Sequence, residues 1–362
     1  MKENSELLVE IKDLRVEFDV RAGVVKAVDG LNFDIRRGQT MGVIGESGCG
    51  KSMTARAILQ MIPKPGKITS GEILYYRPIR KDGVVEKVDV INITKTDPDG
   101  ELIRQIRGGE IGMIFQEPMS SLTPVYTAGV HINEAVSLHR LIPVKKIGDQ
   151  ITENIMSHRK ITKQEGREIA IDMLQKVGIP KPQQRVDSYP HQLSGGQRQR
   201  VMVAVALSCE PLMLIADEPT TALDVSIEAQ ILDLMRGLQE SVNMAIMFIT
   251  HNLGVIAEMA DEITVMYMGK QVERAKAVDL FYDAKHPYTR ALLKSIPKVG
   301  RKTSERLLSI EGMVPDPFNL PTGCVFHPRC PDFMPGKCDK IAPTSQKVGQ
   351  DHWVSCLLYE EV

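Results

Sequence analysis

The sequence has almost no excess of charge of either sign. Its 45 Lys and Arg residues are balanced by 46 Asp and Glu residues, so the formal net charge is −1. Proteins that bind mainly nucleic acid need a basic excess to neutralise phosphates, usually gathered on one face or stripe. Lys and Arg are instead spread along this chain. We therefore expect no nucleic-acid partner.

Long hydrophobic runs are also absent. The most apolar stretch, residues 201–216, is interrupted by Glu210 and Pro211. A membrane-spanning helix needs about 18 or more uninterrupted apolar residues, which this stretch does not supply. The first residues, Met-Lys-Glu-Asn-Ser-Glu, lack the basic and then apolar segments of a secretory signal. The sequence thus predicts a cytoplasmic protein that reaches a membrane only through a partner.

Cysteine is scarce over most of the chain. Cys49 and Cys209 are isolated, whereas the other four of the six cysteines lie close to the C-terminus, at Cys324, Cys330, Cys338 and Cys356. In a cytosolic chain of this size such residues are more often free, metal-bound or catalytic than paired in disulfides. The grouping makes the C-terminal four candidates for a shared ligand.

Strands and helices are predicted to alternate, which indicates an α/β core. Apolar or alternating runs predict strands at residues 7–18, 24–28, 31–35, 40–44, 71–76, 212–216 and 245–250, with turns at Asp29-Gly30 and Arg37-Gly38. Helices are predicted at 51–61 and 227–238, and residues 129–186 have a helical pattern without strand signals. This order favours a parallel sheet with the helical block inserted on one flank. Proline and glycine become frequent after residue 278, so we place a domain boundary near 275–283.

Residues 45–52, Gly-Glu-Ser-Gly-Cys-Gly-Lys-Ser, fit the Gly-x-x-x-x-Gly-Lys-Ser/Thr pattern of a phosphate-binding loop. Glycines let consecutive N–H groups face a phosphate, and the following helix N-terminus adds a positive dipole end. Lys51 can then reach the β- and γ-phosphates, and the Ser52 hydroxyl can ligate Mg²⁺. The strand before and the helix after disfavour a chance glycine turn. The predicted nucleotide-contacting residues are Gly45, Glu46, Ser47, Gly48, Cys49, Gly50, Lys51, Ser52 and Met53.

Two adjacent carboxylates, Asp217 and Glu218, follow the apolar strand predicted at 212–216. Like charges at the end of a buried strand are costly unless something compensates them. Asp217 holding Mg²⁺ through the metal's water shell, with Glu218 polarising an attacking water, would supply the reason. The alternative interpretation is an acidic loop after a core strand without a catalytic role. The phosphate loop earlier in the sequence favours the catalytic interpretation over this alternative.

Residues 193–197, Leu-Ser-Gly-Gly-Gln, match the signature of the ATP-binding-cassette (ABC) family, which the chain resembles. In that family the signature lies at a helix N-terminus and contacts the γ-phosphate held by the opposite subunit. The Ser194 hydroxyl and the glycine N–H groups would form this second anion site. The resemblance implies that two chains pair head to tail, with Ser194, Gly195, Gly196 and Gln197 completing the partner's ATP site.

Other parts of the ABC pattern follow in order. Gln116 resembles the glutamine that touches Mg²⁺ and senses the transmembrane partner, and residues 221–224, Thr-Ala-Leu-Asp, resemble the loop that communicates across the dimer. His251 resembles the switch histidine that contacts the γ-phosphate. Phe18 lies about where the family has its adenine-stacking aromatic, although core packing explains it nearly as well. The resemblance thus implies a catalytic set of Glu218, His251, Lys51 and Gln116, Mg²⁺ ligands Ser52, Gln116 and Asp217, and nucleotide contacts from Phe18 and Asp224.

The C-terminal cysteines are spaced Cys-x5-Cys-x7-Cys-x17-Cys, which matches neither the tight pairs of typical zinc sites nor common ferredoxin spacings. Thiolates suit zinc or an iron–sulfur cluster, and His327 and His352 nearby keep zinc open. Residues 286–293, His-Pro-Tyr-Thr-Arg-Ala-Leu-Leu, and the Cys324–Cys330 segment resemble the C-terminal extension of the oligopeptide/dipeptide transporter ATPases. In that family four cysteines are associated with a [4Fe–4S] cluster. The resemblance implies such a cluster here, with zinc, free thiols or a disulfide as alternatives.

The resemblance implies an α/β fold with two parts. A P-loop NTPase ABC nucleotide-binding domain would span residues 1–278, with a RecA-like parallel-sheet core, an antiparallel β subdomain and a helical subdomain at about 119–208. A small Cys-rich C-terminal domain with the four-cysteine metal site would span 279–362. Its cofactors would be ATP, Mg²⁺ and the [4Fe–4S] cluster.

The implied function is ATP hydrolysis coupled to uptake of dipeptides or oligopeptides, on the cytoplasmic face of the cell membrane. The implied partners are a second, paralogous nucleotide-binding subunit, two transmembrane permease subunits and, indirectly, an extracytoplasmic peptide-binding protein. Nickel or an opine-like solute is the alternative cargo. A non-transport ABC ATPase is disfavoured because the chain has one cassette and no sustained heptads. A redox-sensing module with a vestigial ATPase is disfavoured by the intact Lys51, Asp217, Glu218 and His251.

Overall fold

The computed structural model describes residues 7–81, 84–115, 144–221, 223–295 and 310–360. The chain divides into two compact units. Of the described residues, Leu7 and those within Arg36–Gln39 and Lys95–Ile249 form the first unit, and those within Leu8–Ile35, Thr40–Thr94 and Thr250–Val362 form the second. No helix in the described ranges is both long and apolar enough to span a bilayer.

The strands of the described residues are β1 (Leu7–Val20), β2 (Gly23–Arg36), β3 (Thr40–Ile44), β4 (Gly66–Lys81), β5 (Val84–Asn92), β6 (Ile111–Ile114), β7 (Met213–Asp217), β8 (Ala245–Ile249), β9 (Glu262–Tyr267), β10 (Lys270–Lys276), β11 (Gln346–Gly349) and β12 (His352–Val354). The α-helices are α1 (Lys51–Ile58), α2 (Glu101–Gln105), α3 (Ile147–His158), α4 (Lys163–Lys176), α5 (Pro182–Arg185), α6 (Gly195–Leu207), α7 (Val225–Val242), α8 (Leu253–Met259), α9 (Ala277–Asp283) and α10 (Pro287–Lys294).

The first unit combines a short parallel sheet with helices. Strand β7 pairs in parallel with β6 on one side and with β8 on the other. Every residue of these three strands is buried, as expected for parallel strands covered on both faces. Helices α3, α4 and α6 follow the helical pattern of the sequence, and α4 begins with a capping box between Thr162 and Glu165. The unit thus presents the carboxyl end of β7 beside that of β8.

The second unit contains one antiparallel sheet and one mixed sheet. The antiparallel sheet has the order β2-β1-β4-β5. In the mixed sheet, β3 pairs in parallel with β9, β9 pairs antiparallel with β10, and β12 joins β10 to β11. Strand β3 is buried along its whole length and leads directly into residues 45–50.

The predicted turn at Asp29-Gly30 is wrong. The two strands expected at 24–28 and 31–35 form a single strand, β2. Gly30 has φ +80°, so the backbone irregularity is absorbed within the strand. The side chain of Asp29 is held by ion pairs to Arg15 and Lys270 and does not need a solvent-exposed turn. Strands β5, β6, β9, β10, β11 and β12 had no sequence-based prediction.

The division at residue 278 stays a prediction. The boundary expected at 275–283 falls on helix α9. Strand β12 follows this boundary and pairs with β10, which precedes it. The C-terminal residues therefore extend a sheet of the second unit. The helical subdomain predicted at about 119–208 includes residues outside the described ranges and likewise stays a prediction.

Candidate active site

The phosphate loop joins β3 to α1 and depends on glycine for its shape. Gly45, Gly48 and Gly50 have φ values of +150°, +79° and +102°. A Cβ atom on Gly50 would lie 2.2 Å from the carbonyl oxygen of Ala27, closer than any contact allows. Only glycine fits this position without moving the backbone. The chain can therefore turn tightly from the buried strand into the helix that starts at Lys51.

Lys51 places its ammonium inside this loop. Its Nζ donates to the carbonyl oxygens of Gly45 at 2.7 Å and Glu46 at 3.0 Å. The side chain is buried, so its charge acts in a region of low dielectric. Ser52 and Met53 follow on the first turn of α1 and are half-buried. The loop thus presents a fixed positive charge at a helix N-terminus, the chemistry that binds phosphate.

Cys49 lies buried within the loop, and its Sγ accepts from the Lys51 ammonium at 3.6 Å. Burial raises the pKa of this thiol despite the nearby charge. The neutral thiol is the poor nucleophile of the two protonation states. The environment therefore favours Cys49 as a small packing residue over a redox-sensitive one.

The paired carboxylates lie at the carboxyl end of β7. Asp217 ends the strand and is 4% exposed. Glu218 has φ +49°, and its N–H donates to the carbonyl oxygen of Ile249 on β8 at 2.8 Å. Left-handed backbone at a non-glycine residue is strained and is found disproportionately at functional sites. The left-handed conformation of Glu218 changes the direction of the backbone directly after the strand, which ends at Asp217.

Residues after Glu218 fix the position of its side chain. Thr221 Oγ1 donates to the Glu218 carboxylate at 3.2 Å. The buried Thr220 hydroxyl donates to Glu228 of α7 at 2.6 Å. Asp224 caps α7 by accepting from the N–H of Ile227 at 3.0 Å. The predicted communication loop is therefore tied to the start of a long helix, with Ala222 outside the described residues.

The signature residues begin helix α6. Ser194 is the N-cap, its Oγ accepts from the N–H of Gln197 at 3.3 Å, and Gln197 Oε1 accepts from the N–H of Ser194 at 3.1 Å. Ser194 and Gly195 are exposed, and Gly196 and Gln197 are half-buried. The helix N-terminus predicted from the sequence is thus formed and exposed, and its role as an anion site for a partner's phosphate stays a prediction.

Gln199 was missed by the sequence reasoning. It is 1% exposed, lies one turn into α6, and its Nε2 donates to the carbonyl oxygen of Pro219 at 2.8 Å. This bond ties the signature helix to the loop after Glu218. A polar amide on the apolar side of a helix was the available signal, because a buried amide needs a partner.

The roles predicted for His251 and Phe18 stay predictions. His251 follows β8 after Thr250 and is exposed, directly before helix α8. Phe18 is half-buried on β1 opposite Gly66, where a Cβ atom would lie 2.5 Å from the Phe18 ring. The ring therefore packs on glycine and keeps one part accessible. Gln116 lies outside the described residues.

The four C-terminal cysteines are free thiols, and three of them are buried. Burial raises the pKa of Cys330 and of Cys356 to about 11, and it also raises the pKa of Cys324. The charge of neighbouring cysteines raises these pKa values further. Among the described residues, no group of three or more His, Cys, Asp or Glu could hold a single metal ion. The arrangement therefore gives no support to the predicted metal site as a convergent single-ion site.

The phosphate loop of the second unit and, in the first unit, the buried strand that ends in carboxylates and the exposed helix N-terminus are each features of nucleotide-hydrolysing proteins of the phosphate-loop class. The fold agrees with that of the ATP-binding cassette MJ0796, solved as a dimer and described as a bacterial ABC transporter cassette. The TM-score is 0.60 at 24% identity, with 75% of this chain and 99% of that chain covered. At this identity the similarity establishes the fold alone.

Sequence comparisons place the chain in a family. Residues 28–221 match the ABC transporter family, and residues 272–338 match the C-terminal region of oligopeptide/dipeptide transporters. The oligopeptide transport ATP-binding protein AppD of Bacillus subtilis is 44% identical over 98% of this chain and 97% of its own length. The dipeptide transport ATP-binding protein DppD of the same organism is 40% identical over 98% and 96%. The chain therefore belongs to the ABC transporter ATPases, in the branch that carries the oligopeptide/dipeptide C-terminal region.

Proposed function

We propose that the chain is the ATP-hydrolysing subunit of an importer for dipeptides or oligopeptides. The observation that carries this proposal is the match of residues 272–338 to the oligopeptide/dipeptide transporter region, in the same chain as an ABC cassette. Relatives named for oligopeptide and dipeptide transport align over almost the full length. Peptide is therefore the cargo class that these similarities favour over nickel or an opine-like solute.

The chain's own residues divide the chemistry of ATP hydrolysis. The N–H groups of residues 45–52 and the Lys51 ammonium bind the phosphates. The Glu218 carboxylate takes a proton from the attacking water, and His251 orients that water and the γ-phosphate. The hydroxyl of Ser52 and the carboxylate of Asp217 are oxygen donors of the kind that Mg²⁺ prefers, and they would hold it. When bound, that ion would neutralise charge on the β- and γ-phosphates.

Two chains are needed for a complete site in this proposal. Ser194 and the two glycines after it would reach the γ-phosphate bound by the opposite subunit, and the exposure of Ser194 and Gly195 leaves them accessible for that contact. ATP binding closes the pair and hydrolysis reopens it. A paralogous second subunit, two permease subunits and an extracytoplasmic peptide-binding protein complete the assembly on the cytoplasmic membrane face.

Uptake by cells tests the cargo. A strain that lacks this chain is complemented with the wild type or with Lys51→Ala, and uptake of a labelled dipeptide, a labelled pentapeptide and labelled nickel is measured. We expect wild type alone to restore uptake of at least one peptide. Restored nickel uptake without peptide uptake would contradict the peptide assignment while leaving an ATP-driven importer. Equal peptide uptake with Lys51→Ala would contradict ATP coupling through this loop.

We further propose that residues 279–362 form a small Cys-rich domain whose four cysteines bind a [4Fe–4S] cluster. The donor type fits, because four cysteines supply the thiolates that such a cluster takes, and the backbone N–H groups of Phe326, Asp332 and Leu358 lower the pKa values of Cys324, Cys330 and Cys356 against the larger effect of burial. Around one zinc ion four sulfurs would lie about 3.8 Å apart, as its tetrahedral bonds require. A cluster binds one thiolate per iron and spaces them more widely.

Metal analysis tests the cluster independently of ATP turnover. Iron, acid-labile sulfide and zinc are measured on protein purified without oxygen, for the wild type and Cys324→Ser. We expect about four irons and four sulfides per chain, which are lost in the variant. Stoichiometric zinc, or no metal, would contradict the cluster. A structural role is favoured over electron transfer, because buried thiols of this type stabilise small domains through their ligand.

A further inference from the structure

Glu46, the second residue of the phosphate loop, is held by two residues that lie 242 and 283 positions later in the chain. Its backbone N–H donates to the hydroxyl of Tyr288 at 2.9 Å. Its carboxylate accepts from both terminal nitrogens of Arg329, at 2.7 and 3.1 Å. A two-pronged guanidinium–carboxylate pair fixes orientation as well as distance. All three residues belong to the second unit, so the contact lies within one compact body.

Arg329 is itself fixed in place. Its side chain is only 4% exposed, and it also donates to the Tyr267 hydroxyl at 3.2 Å and to the carbonyl oxygen of Glu311 at 3.2 Å. The bond to Glu46 raises the pKa of Arg329, which keeps the guanidinium charged. Breaking the pair would leave a buried charge without its partner, which is costly. Arg329 therefore acts as a rigid support and not as a flexible surface arm.

An aromatic cluster supports the two residues that hold Glu46. The ring centroid of Tyr267 lies 4.7 Å from that of Tyr288 and 5.2 Å from that of Phe326. Tyr288 and Phe326 are 5.3 Å apart, and all three rings are buried. Tyr267 ends β9, the strand paired with β3. The strand that leads into the phosphate loop and the segment that carries Arg329 therefore share one packed core.

Glu46 also contacts Lys51, so residues that fix Glu46 also affect the position of Lys51. The carbonyl oxygen of Glu46 accepts from the Lys51 ammonium at 3.0 Å. One residue thus uses its N–H for Tyr288, its carboxylate for Arg329 and its carbonyl group for Lys51. A shift of Glu46 would displace the carbonyl that positions the phosphate-binding ammonium. Displacements of about 1 Å at such positions are enough to weaken ligand binding.

We propose that Arg329 and Tyr288 are positioning residues of the ATP site. They hold Glu46, and through it the phosphate loop and Lys51, in the arrangement that binds phosphates. The C-terminal region is then part of the nucleotide site's support and not a separate appendage. This inference rests on ATP binding at residues 45–52. Linkage requires the reverse effect as well, so bound ATP stabilises the segment around Arg329.

A double-mutant cycle tests the path through Glu46. The variants are Arg329→Gln, Glu46→Gln and the two together, and the Kd of ATP is measured with the KM and kcat of hydrolysis. We expect Arg329→Gln to weaken ATP binding about tenfold, within the range of typical couplings. KM should change more than kcat. The double variant should bind ATP no more weakly than whichever single variant has the lower affinity for ATP, because both substitutions break the same ion pair between Arg329 and Glu46.

Matched variants separate positioning from general stability. Arg290→Gln removes another C-terminal ion pair, that of Arg290 with Asp332 at 2.6 Å, and should bind ATP like the wild type. Arg329→Lys keeps the charge but loses the two-pronged geometry, so it should restore part of the affinity. Tyr288→Phe keeps the buried ring and removes only the hydroxyl, and it should raise KM in the same direction by a smaller factor. If Arg329→Gln fails to fold, the affinity of Tyr288→Phe for ATP tests the proposal instead.

Two results would overturn the proposal. The first is wild-type affinity for ATP in folded Arg329→Gln or, if that variant does not fold, in Tyr288→Phe. The second is additive losses in the double variant, which would mean that Arg329 does not act through Glu46. Wild-type protein that bound no ATP would overturn the ATP site itself, whereas wild-type binding with unaffected variants would overturn only the role of Arg329 and Tyr288.

Discussion

At the scale of single residues, Glu218 and Asp217 illustrate how one backbone step separates two carboxylates. Asp217 ends a buried strand, whereas Glu218 takes a left-handed conformation and a hydrogen bond from Thr221. The sequence predicted a role for both carboxylates because adjacent like charges directly after an apolar run are costly without a compensating ligand. It could not predict the strained φ of Glu218, which depends on the bond of its N–H to β8.

Glu218→Gln should strongly reduce ATP turnover and leave ATP binding intact. The amide keeps the shape of the carboxylate but cannot accept the proton of the attacking water. We expect kcat to fall by about 10²–10⁴-fold, the usual contribution of a general base. Single-turnover hydrolysis and equilibrium ATP binding measure the two effects. Glu240→Gln, an exposed glutamate on α7, is the control, and hydrolysis at the wild-type rate in Glu218→Gln would remove the base assignment.

His286 should make stability depend on pH. It is fully buried and its Nδ1 accepts from the N–H of Tyr288, and burial lowers its pKa to about 4. In the unfolded chain this imidazole titrates at about pH 6.5. Between these two pH values the unfolded state binds more protons than the folded state. The contribution of the buried, neutral His286 to the free energy of unfolding is therefore fully present above about pH 6.5 and is lost as the pH falls toward 4. The full effect is on the order of 3 kcal/mol.

Urea unfolding of the wild type and of His286→Asn at pH 7, 6 and 5 measures this dependence. Asparagine retains a cap acceptor at the start of α10 and has no titrating group in this range. Other groups titrate in both proteins, so the difference between the two curves isolates His286. The wild type should lose more stability than the variant as the pH falls. Parallel curves would show that His286 does not contribute.

At the scale of elements, two helices start with the same capping box but have different predicted functions. Thr162 and Glu165 exchange hydrogen bonds at the start of α4, and Ser194 and Gln197 do so at the start of α6. Thr162→Ala and Ser194→Ala should each lower the free energy of unfolding by about 1 kcal/mol. Only Ser194→Ala should lower ATP turnover, because in the proposed dimer only its hydroxyl would reach a phosphate. Equal turnover in both variants would leave Ser194 with a structural role alone.

The elements were predicted unevenly, for a physical reason. The strands β3, β7 and β8 were predicted because a short, continuous apolar run bounded by turn residues is typical of a strand that is buried on both faces. Strand β5, with exposed residues along much of its length, carries no such pattern and was missed. Its pairing with β4 is antiparallel and is fixed by the partner strand. Local sequence cannot encode that contact.

At the scale of the whole molecule, one buried carboxylate of β10 adds side-chain contacts to the strand pairing that joins the C-terminal residues to β10. Glu273 accepts from the N–H groups of Lys285 and His286 at 2.6 and 2.9 Å. It also contacts Nε2 of His352 on β12 at 2.8 Å. The side chain is fully buried, so none of these groups can turn to water instead. Glu273 is therefore the polar centre that joins three segments of the second unit.

Glu273→Ala should cost about 3–5 kcal/mol of unfolding free energy, because it leaves buried polar groups without their partner. Asp351→Asn is the control, since it removes an exposed ion pair with Lys276 at 3.5 Å. Exposed pairs contribute about 0–1 kcal/mol. Urea unfolding measures both variants. A loss in Glu273→Ala no larger than that in the control would mean that the network adds little beyond local packing.

Local sequence was sufficient to predict the phosphate loop, the paired carboxylates, the signature helix and the family. These are local patterns, in which neighbouring residues supply both the backbone shape and the chemistry. Only the folded chain shows that Arg329 and Tyr288 hold Glu46, and that Glu273 joins β10 to the C-terminal residues. Each of these contacts joins segments far apart in the chain or on different elements. Their partners are chosen by packing, which no local pattern records.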